Sequence, residues 1–270
     1  MKKLTLIFAV FLFSSAVVFS QNRAKKKSDD FILGDKIIFL DSLKGEQLGE
    51  FPSKWDLKSG TVEVMEMNGQ NVIGIVKSQS GVMPLMKTKA YLPNIFTLEF
   101  DVYFHNKGNE AYTVEFDNLQ MDFSVRSSGI NHGGYLIRSE QLTPKEGWLH
   151  LAMSFNQRAL KVYLNGERLV NVPNVETPPT KFSISALSHN ARNGKFAMIA
   201  NVRLAEGGVP LYDRLLNDGR FVTNDIHFEY GQATLKSESM SIIQQVAEML
   251  KEHPEVALKI EGHTDSEWIG

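Results

Sequence analysis

The run WLHLAMSFNQRALKVYLNGERL, from Trp148 to Leu169, decides the fold of this chain. Leu149, Leu151, Met153 and Phe155 alternate with His150, Ala152 and Ser154, the period of a strand with one buried face. Leu160, Val162 and Leu164 repeat the alternation and run into Asn165-Gly166. That dipeptide favours positive φ at both positions and so predicts a tight antiparallel hairpin turn. Outward from the hairpin the pattern persists. Phe96, Leu98, Phe100, Val102 and Phe104 share one face of a strand, with Thr97, Glu99, Asp101, Tyr103 and His105 on the other. Tyr112, Val114 and Phe116 follow; Leu119, Met121, Phe123 and Val125 resume in the opposite parity after Asp117-Asn118. Asn68-Gly69 joins Val62–Met67 to Val72–Val76, and Phe196, Met198, Ala200, Val202 and Leu204 read as one last long strand. About ten strands with short polar turns and no long helix predict a β-sandwich over residues 31–206.

The Trp148–Leu169 hairpin, with its Tyr-Leu-Asn-Gly turn, resembles the concanavalin-like jelly roll of the laminin-G type. The resemblance extends loosely over residues 31–206 and implies a fold rather than an activity. Its members include sugar binders, protein binders and glucanases, so function has to come from the site.

A different pattern follows a connector at 207–220, Glu206-Gly207-Gly208 to Asn217-Asp218-Gly219, which reads as loop, one or two helical turns, and loop. Ile226, Phe228 and Tyr230 alternate as in a strand. Ile242, Ile243, Val246, Ala247 and Leu250 then share one helical face, and Pro254 ends the helix. Val256, Leu258 and Ile260 alternate again into Gly262-His263-Thr264-Asp265. IHFEYGQATLKSES, the helix through MLKEHPE and ALKIEGHTD, in that order, resemble the OmpA-like peptidoglycan-binding family. The match spans residues 221–265, about the first half of such a domain. It implies that Asp265 is the acid that holds the ammonium group of diaminopimelate in the peptidoglycan stem peptide, with His263 and Thr264 shaping the loop. The family's arginine, which would take the neighbouring carboxylate, has no counterpart up to Gly270, so weak binding by the half unit is expected. The fold expected is therefore mainly β: a laminin-G/concanavalin-like β-sandwich, then a partial α/β (β-α-β) OmpA-like unit at 221–270.

The N-terminus predicts the address. Lys2 and Lys3 precede an apolar run from Leu4 to Phe13 and small or aliphatic residues at Val18 and Ser20, the pattern of a secretory signal over residues 1–21. The run is shorter than the roughly 20 residues a spanning helix needs. Cysteine is absent, so neither disulfides nor a lipidated cysteine is available. Export to the periplasm or outer-membrane side of a Gram-negative-type envelope is expected. Residues 22–30 form a basic leader, Arg23 and Lys25–Lys27, which Asp29 and Asp30 partly cancel; a solvated segment is the expected state. The formal charge of -2 implies no basic surface for nucleic acid.

Jelly-roll glucanases place acids as E-x-D-x-x-E on one strand face, because glycoside hydrolysis needs two flanking carboxyl groups, one of them protonated. Glu99 and Asp101 are followed by Phe104, and Glu115 and Asp117 by Gln120, so each set lacks its third acid. No catalytic residue is assigned. No H-x3-H or HExxH spacing points to zinc, and His150 and His227 read as strand residues. Asp117, Asn118 and Asp122 are oxygen ligands for calcium or, more simply, turn residues. Trp55 and Trp148 are candidates for stacking on a sugar or for core positions. No metal or cofactor is expected. The function expected is a non-enzymatic envelope protein whose jelly roll takes a glycan or protein ligand and whose C-terminal unit tethers it to peptidoglycan. The alternatives are a glycan hydrolase or a protein-binding adhesion module.

Overall fold

The computed structural model describes residues 30–262 except 78, 107–108, 120–121, 140–141, 143–145, 189–192, 222, 224–225, 230 and 237–238. Two antiparallel sheets face each other. One contains β1 (Gly34–Asp41), β3 (Val62–Met67), β4 (Gln70–Ile75), β6 (Ile95–Phe104), β11 (Gly147–Asn156), β12 (Ala159–Leu164), β13 (Glu167–Val172) and β15 (Ala197–Gly207). Its order is β13-β12-β11-β6-β15-β4-β3, with β1 pairing the remaining half of β15. The other contains β2 (Trp55–Ser59), β5 (Gln79–Pro84), β7 (Ala111–Phe116), β8 (Asp122–Arg126), β9 (Gly129–His132), β10 (Tyr135–Arg138) and β14 (Phe182–Leu187), in the order β10-β9-β8-β7-β14-β5-β2. Strands joined by tight hairpins stay side by side in one sheet, and the other connections cross from one sheet to the other, as in the concanavalin-like jelly roll. The β-sandwich expected from the alternation is the observed fold.

The pattern explains the layers. Phe96, Leu98, Phe100, Val102 and Phe104 of β6 and Leu151, Met153 and Phe155 of β11 point inward, against Tyr112, Val114, Phe116, Phe123 and Val125 of the second sheet. Asn165 and Gly166 both take positive φ (47° and 79°) and turn β12 into β13; Asn68 and Gly69 (53° and 81°) do the same between β3 and β4.

One expectation is corrected. Phe196 to Leu204 is not a strand of single parity. Met198 and Ala200 face outward, whereas Val202 and Leu204 lie in the core. The switch occurs at Asn201, where φ is +53° and the register against β6 slips between Ala200 and Arg203. A bulge inserts one residue and exchanges the two faces.

Beyond the sandwich lie α1 (Leu211–Asp218) and α2 (Met240–Glu252). α1 docks through the Arg214–Asp35 ion pair at 2.8 Å, and Tyr212 stacks on His253 just past α2. The helix of the expected β-α-β unit is present, with Ile242 and Met249 buried. Its flanking strands are not assembled among the described residues: Phe228 makes only an isolated bridge to Leu235, and residues 256–260 join no ladder. A strand exists only when its backbone groups find a partner, and no partner strand is present there among the described residues. No helix among the described residues is long and apolar enough to cross a membrane.

Candidate functional site

The loop residues expected to hold peptidoglycan, His263, Thr264 and Asp265, lie outside the described residues, as does Gln120. The two acid pairs of the sandwich are described, and they part company. Glu99 and Asp101 sit on the outward face of the eight-stranded sheet. Glu115 lies on the outward face of the other sheet, paired with Lys58. Asp117 holds a turn together, since its carboxylate accepts hydrogen bonds from the Thr180 and Lys181 backbone N–H groups at 2.8 and 3.1 Å. Burial opposes its ionisation, but these bonds and the Thr180 hydroxyl outweigh it and hold the acid below the usual aspartate range. The Asn118 side chain donates to the Pro178 carbonyl at 3.1 Å. Both carboxylate oxygens of Asp117 are thus engaged by the turn rather than turned out towards a cation.

Around Glu99 and Asp101 the ladders assemble a continuous polar row. β11 brings His150 directly opposite Asp101, and the β15 bulge brings Arg203 opposite Glu99. His150 Nδ1 lies 2.8 Å from Asp101 Oδ1, and its Nε2 lies 3.6 Å from Glu99 Oε2. Arg203 meets Glu99 at 3.2 Å. The Asn201 amide, aimed by the bulge, donates to Asp101 Oδ2 at 2.7 Å, and Gln70 donates to Asn201 at 2.9 Å. At the far end Asn165 of the hairpin turn accepts the His150 backbone N–H at 2.8 Å. Two acids and two bases balance one another. The Asp101 hydrogen bond, then the nearby Glu99 carboxylate, push the His150 imidazole up to about 9, against the opposing effect of burial. Burial raises Asp101, but the His150 and Asn201 bonds outweigh it and keep the carboxyl below the ordinary range.

One strand repeat along, an aromatic and methionine row borders the polar one. Trp148 and Met198 flank Tyr103 on either side in the ladder. The Trp148 and His105 rings stand edge-on to Tyr103, with centroids 5.2 and 5.1 Å away, while the Tyr103 hydroxyl donates to Glu146 at 3.0 Å. Met65, Met67 and Phe196 extend this row over Val72 and Met198. Gly74 lies beneath Met65; a Cβ there would stand 2.2 Å from the methionine sulfur. Trp148 is therefore a partly exposed outward residue, and Trp55 is core, 2% exposed with its indole N–H on Asp41 at 2.7 Å. On the other side of the polar row, Asp30 and Phe31 lie against β12 and β13. The Asp30 carboxylate accepts from Lys161, Tyr163 and Arg168.

Outward placement of Glu99, Asp101 and Trp148 was readable from parity alone. The partnership of Asp101 with His150 was not, because it depends on the register between strands 49 residues apart in sequence. His227 lies outside any strand, its backbone N–H donating to Ser239 Oγ at 2.8 Å. No group of three or more metal-ligating side chains occurs among the described residues.

No protein-family model matches the chain, and no curated protein matches it. Solved structures do resemble it. The carbohydrate recognition domain of Emp47p is 13% identical, with 68% of this chain and 99% of that one covered and a TM-score of 0.42. The binding domain of botulinum neurotoxin serotype D is 15% identical, with 74% and 56% covered and a TM-score of 0.47. Domain 4 of AbnA, an extracellular arabinanase from Geobacillus stearothermophilus, in complex with arabinotriose, is 18% identical, with 65% and 95% covered and a TM-score of 0.38. At these identities the similarity is one of fold.

Proposed function

We propose that the sandwich is a non-catalytic glycan-binding module of an exported envelope protein, and that the OmpA-like unit after it tethers the protein to peptidoglycan through Asp265. The observation that carries the binding reading is the pair of adjacent rows on the eight-stranded sheet. Asn201, Asp101, His150 and Gln70 offer fixed donors and acceptors, and the partly exposed Trp148, backed by the buried Tyr103, offers an aromatic edge about 7 Å away. A sugar presents the same two features, a ring of hydroxyls and an apolar face. Hydrolysis is disfavoured by the electrostatics. A glycosidase needs one carboxyl kept protonated near neutral pH, whereas Asp101 is held ionised by His150 and Asn201, and Glu99 is paired with Arg203.

Isothermal titration of the full chain against plant and microbial glycans, with reducing-end assays beside it, tests this reading. Binding without turnover, weakened at least tenfold by Trp148→Ala, is expected. Turnover abolished by Glu99→Gln would overturn it. For the tether, sedimentation with purified peptidoglycan sacculi is the measurement, and dependence on Asp265 in a form carrying a complete OmpA-like domain is the expected result.

A further inference from the structure

Residues 30–33 cross the outward face of the eight-stranded sheet as a strap. At one end the Gly34 N–H donates to Thr97 Oγ1 on β6 at 3.0 Å, and Arg203 donates to the Gly34 carbonyl at 2.6 Å. Further along, Phe31 stands edge-on to Tyr163 at 5.2 Å. The strap ends at Asp30, where Lys161 Nζ approaches one carboxylate oxygen at 2.9 Å, Tyr163 Oη donates to the other at 3.1 Å, and Arg168 pairs with the first. The donors all belong to the sheet. A register shift between Val162 and Tyr163 sets Arg168 opposite Tyr163, so guanidinium and phenol face the same point. The acceptor alone comes from a segment outside any strand. Two cations and a phenol held on paired strands around one carboxylate have the composition of an acid-recognition site. Burial and the Asp30 charge raise the Tyr163 hydroxyl to about 12, so it remains a donor throughout the neutral range.

Position ties this cluster to the glycan face. Tyr163 is opposite Ala152 in the ladder, Ala152 opposite Glu99, and Glu99 opposite Arg203. From Tyr163 to Glu99 is two strand spacings, about 10 Å, and the small Ala152 lies between.

We propose that Lys161, Tyr163 and Arg168 form a carboxylate-binding subsite that selects glycans bearing acidic sugars, and that Asp30 occupies it as an internal stand-in for the ligand carboxylate. This rests on the glycan-binding reading above. A tethered competitor acts at an effective concentration in the millimolar range, so an external acid binds more weakly while Asp30 is in place. Releasing the strap strengthens binding of acidic glycans and leaves neutral ones unaffected.

The test measures affinity of the full chain for polygalacturonate, with neutral laminarin as the control probe. Asp30→Asn is expected to tighten polygalacturonate binding at least fivefold, and Phe31→Ala, which loosens the strap by removing its ring contact with Tyr163 while leaving Lys161, Tyr163 and Arg168 in place, to move it in the same direction. Adding Arg168→Gln to Asp30→Asn should remove the gain. Asp56→Asn, an equal charge change at an exposed position of β2 on the other sheet, should produce none. No gain on Asp30→Asn, a gain matched by Asp56→Asn, or one that survives Arg168→Gln overturns the subsite. If laminarin is still bound in those cases, the glycan-binding reading stands without it. If neither polysaccharide is bound by any variant, both fall.

Discussion

Strand β6, at the centre of the eight-stranded sheet, and residues 256–260, beyond α2, carry the same alternation of large apolar and polar side chains. β6 is hydrogen-bonded to β11 along its whole length and to β15 on its other edge, and its five inward residues are buried. Val256, Leu258 and Ile260 belong to no ladder, and Ile260 is 86% exposed. Alternation specifies a face, whereas a strand is specified by its neighbours. A strand pair without a third strand or a covering layer is marginal in water, and the described residues of 221–262 supply α2 as cover but no sheet for it to cover.

Equal truncations in the two regions should have very unequal effects. Phe100→Ala opens a cavity where the two sheets meet, and a loss of about 3–5 kcal/mol is expected from a fully buried phenylalanine. Ile260→Ala removes a side chain that touches little and should change stability by less than about 0.5 kcal/mol. Urea unfolding of both variants measures the contrast. A comparable loss at Ile260 would mean that 256–260 is packed after all.

A second prediction concerns the bulge that separates the two halves of β15. Asn201 combines φ of +53° with a hydrogen bond to Asp101. A β-branched residue is a steric outlier at that φ, and Asp101 would lose a donor. Asn201→Val should therefore cost about 2–3 kcal/mol in urea unfolding. Asn201→Gly meets the backbone requirement freely and loses only the bond, about 1 kcal/mol. Equal costs for the two would show that backbone conformation plays no part. Glycan binding should weaken in both, because both release the Asp101 carboxylate.

Much of the sandwich was legible because its signals are local. The Asn-Gly turns state their own φ, and the parity of β6 and β11 states which side chains face the core. What escaped was set by pairing. The parity of Phe196–Leu204 runs unbroken through Asn201, so nothing local announces that the faces exchange there. Asp30 reads as a counter-charge to the basic leader, yet its partners are Lys161 and Arg168, more than 130 residues away. Glu99 and Asp101 read as ordinary outward acids, and only the register of β11 and β15 converts them into a closed row with His150 and Arg203. α2 was legible from its own periodicity, although Met249 rather than Ala247 completes its buried stripe. The strands expected beside it depended on partners that no local pattern can supply.

The smallest effect expected separates the two faces of β6 by pH. Its inward face carries only apolar groups and is indifferent to titration, while its outward face is held by His150. The imidazole is raised in the folded chain to about 9 by Asp101 and Glu99, from 6.5 when unperturbed. Since the folded value exceeds the unfolded one, the stabilisation is complete below about pH 6.5 and disappears as pH climbs through about 9. Asp101 acts in the opposite sense at the acid end: its lowered value contributes above the unfolded range near pH 3.9 and is lost as pH falls below it. The row is therefore at full strength between about pH 4 and 6.5. With 45% of the His150 side chain exposed, solvent screening keeps the contribution modest. Thermal unfolding should show the melting temperature of the parent chain declining between pH 6.5 and 9.5, with His150→Gln lower at pH 6 and flatter across the same interval. Phe100→Ala should lower the whole curve and preserve its slope. If His150→Gln kept the full alkaline decline, the row would owe its stability to Arg203–Glu99 and Asn201–Asp101 instead, and the imidazole would be free to serve a ligand rather than the sheet.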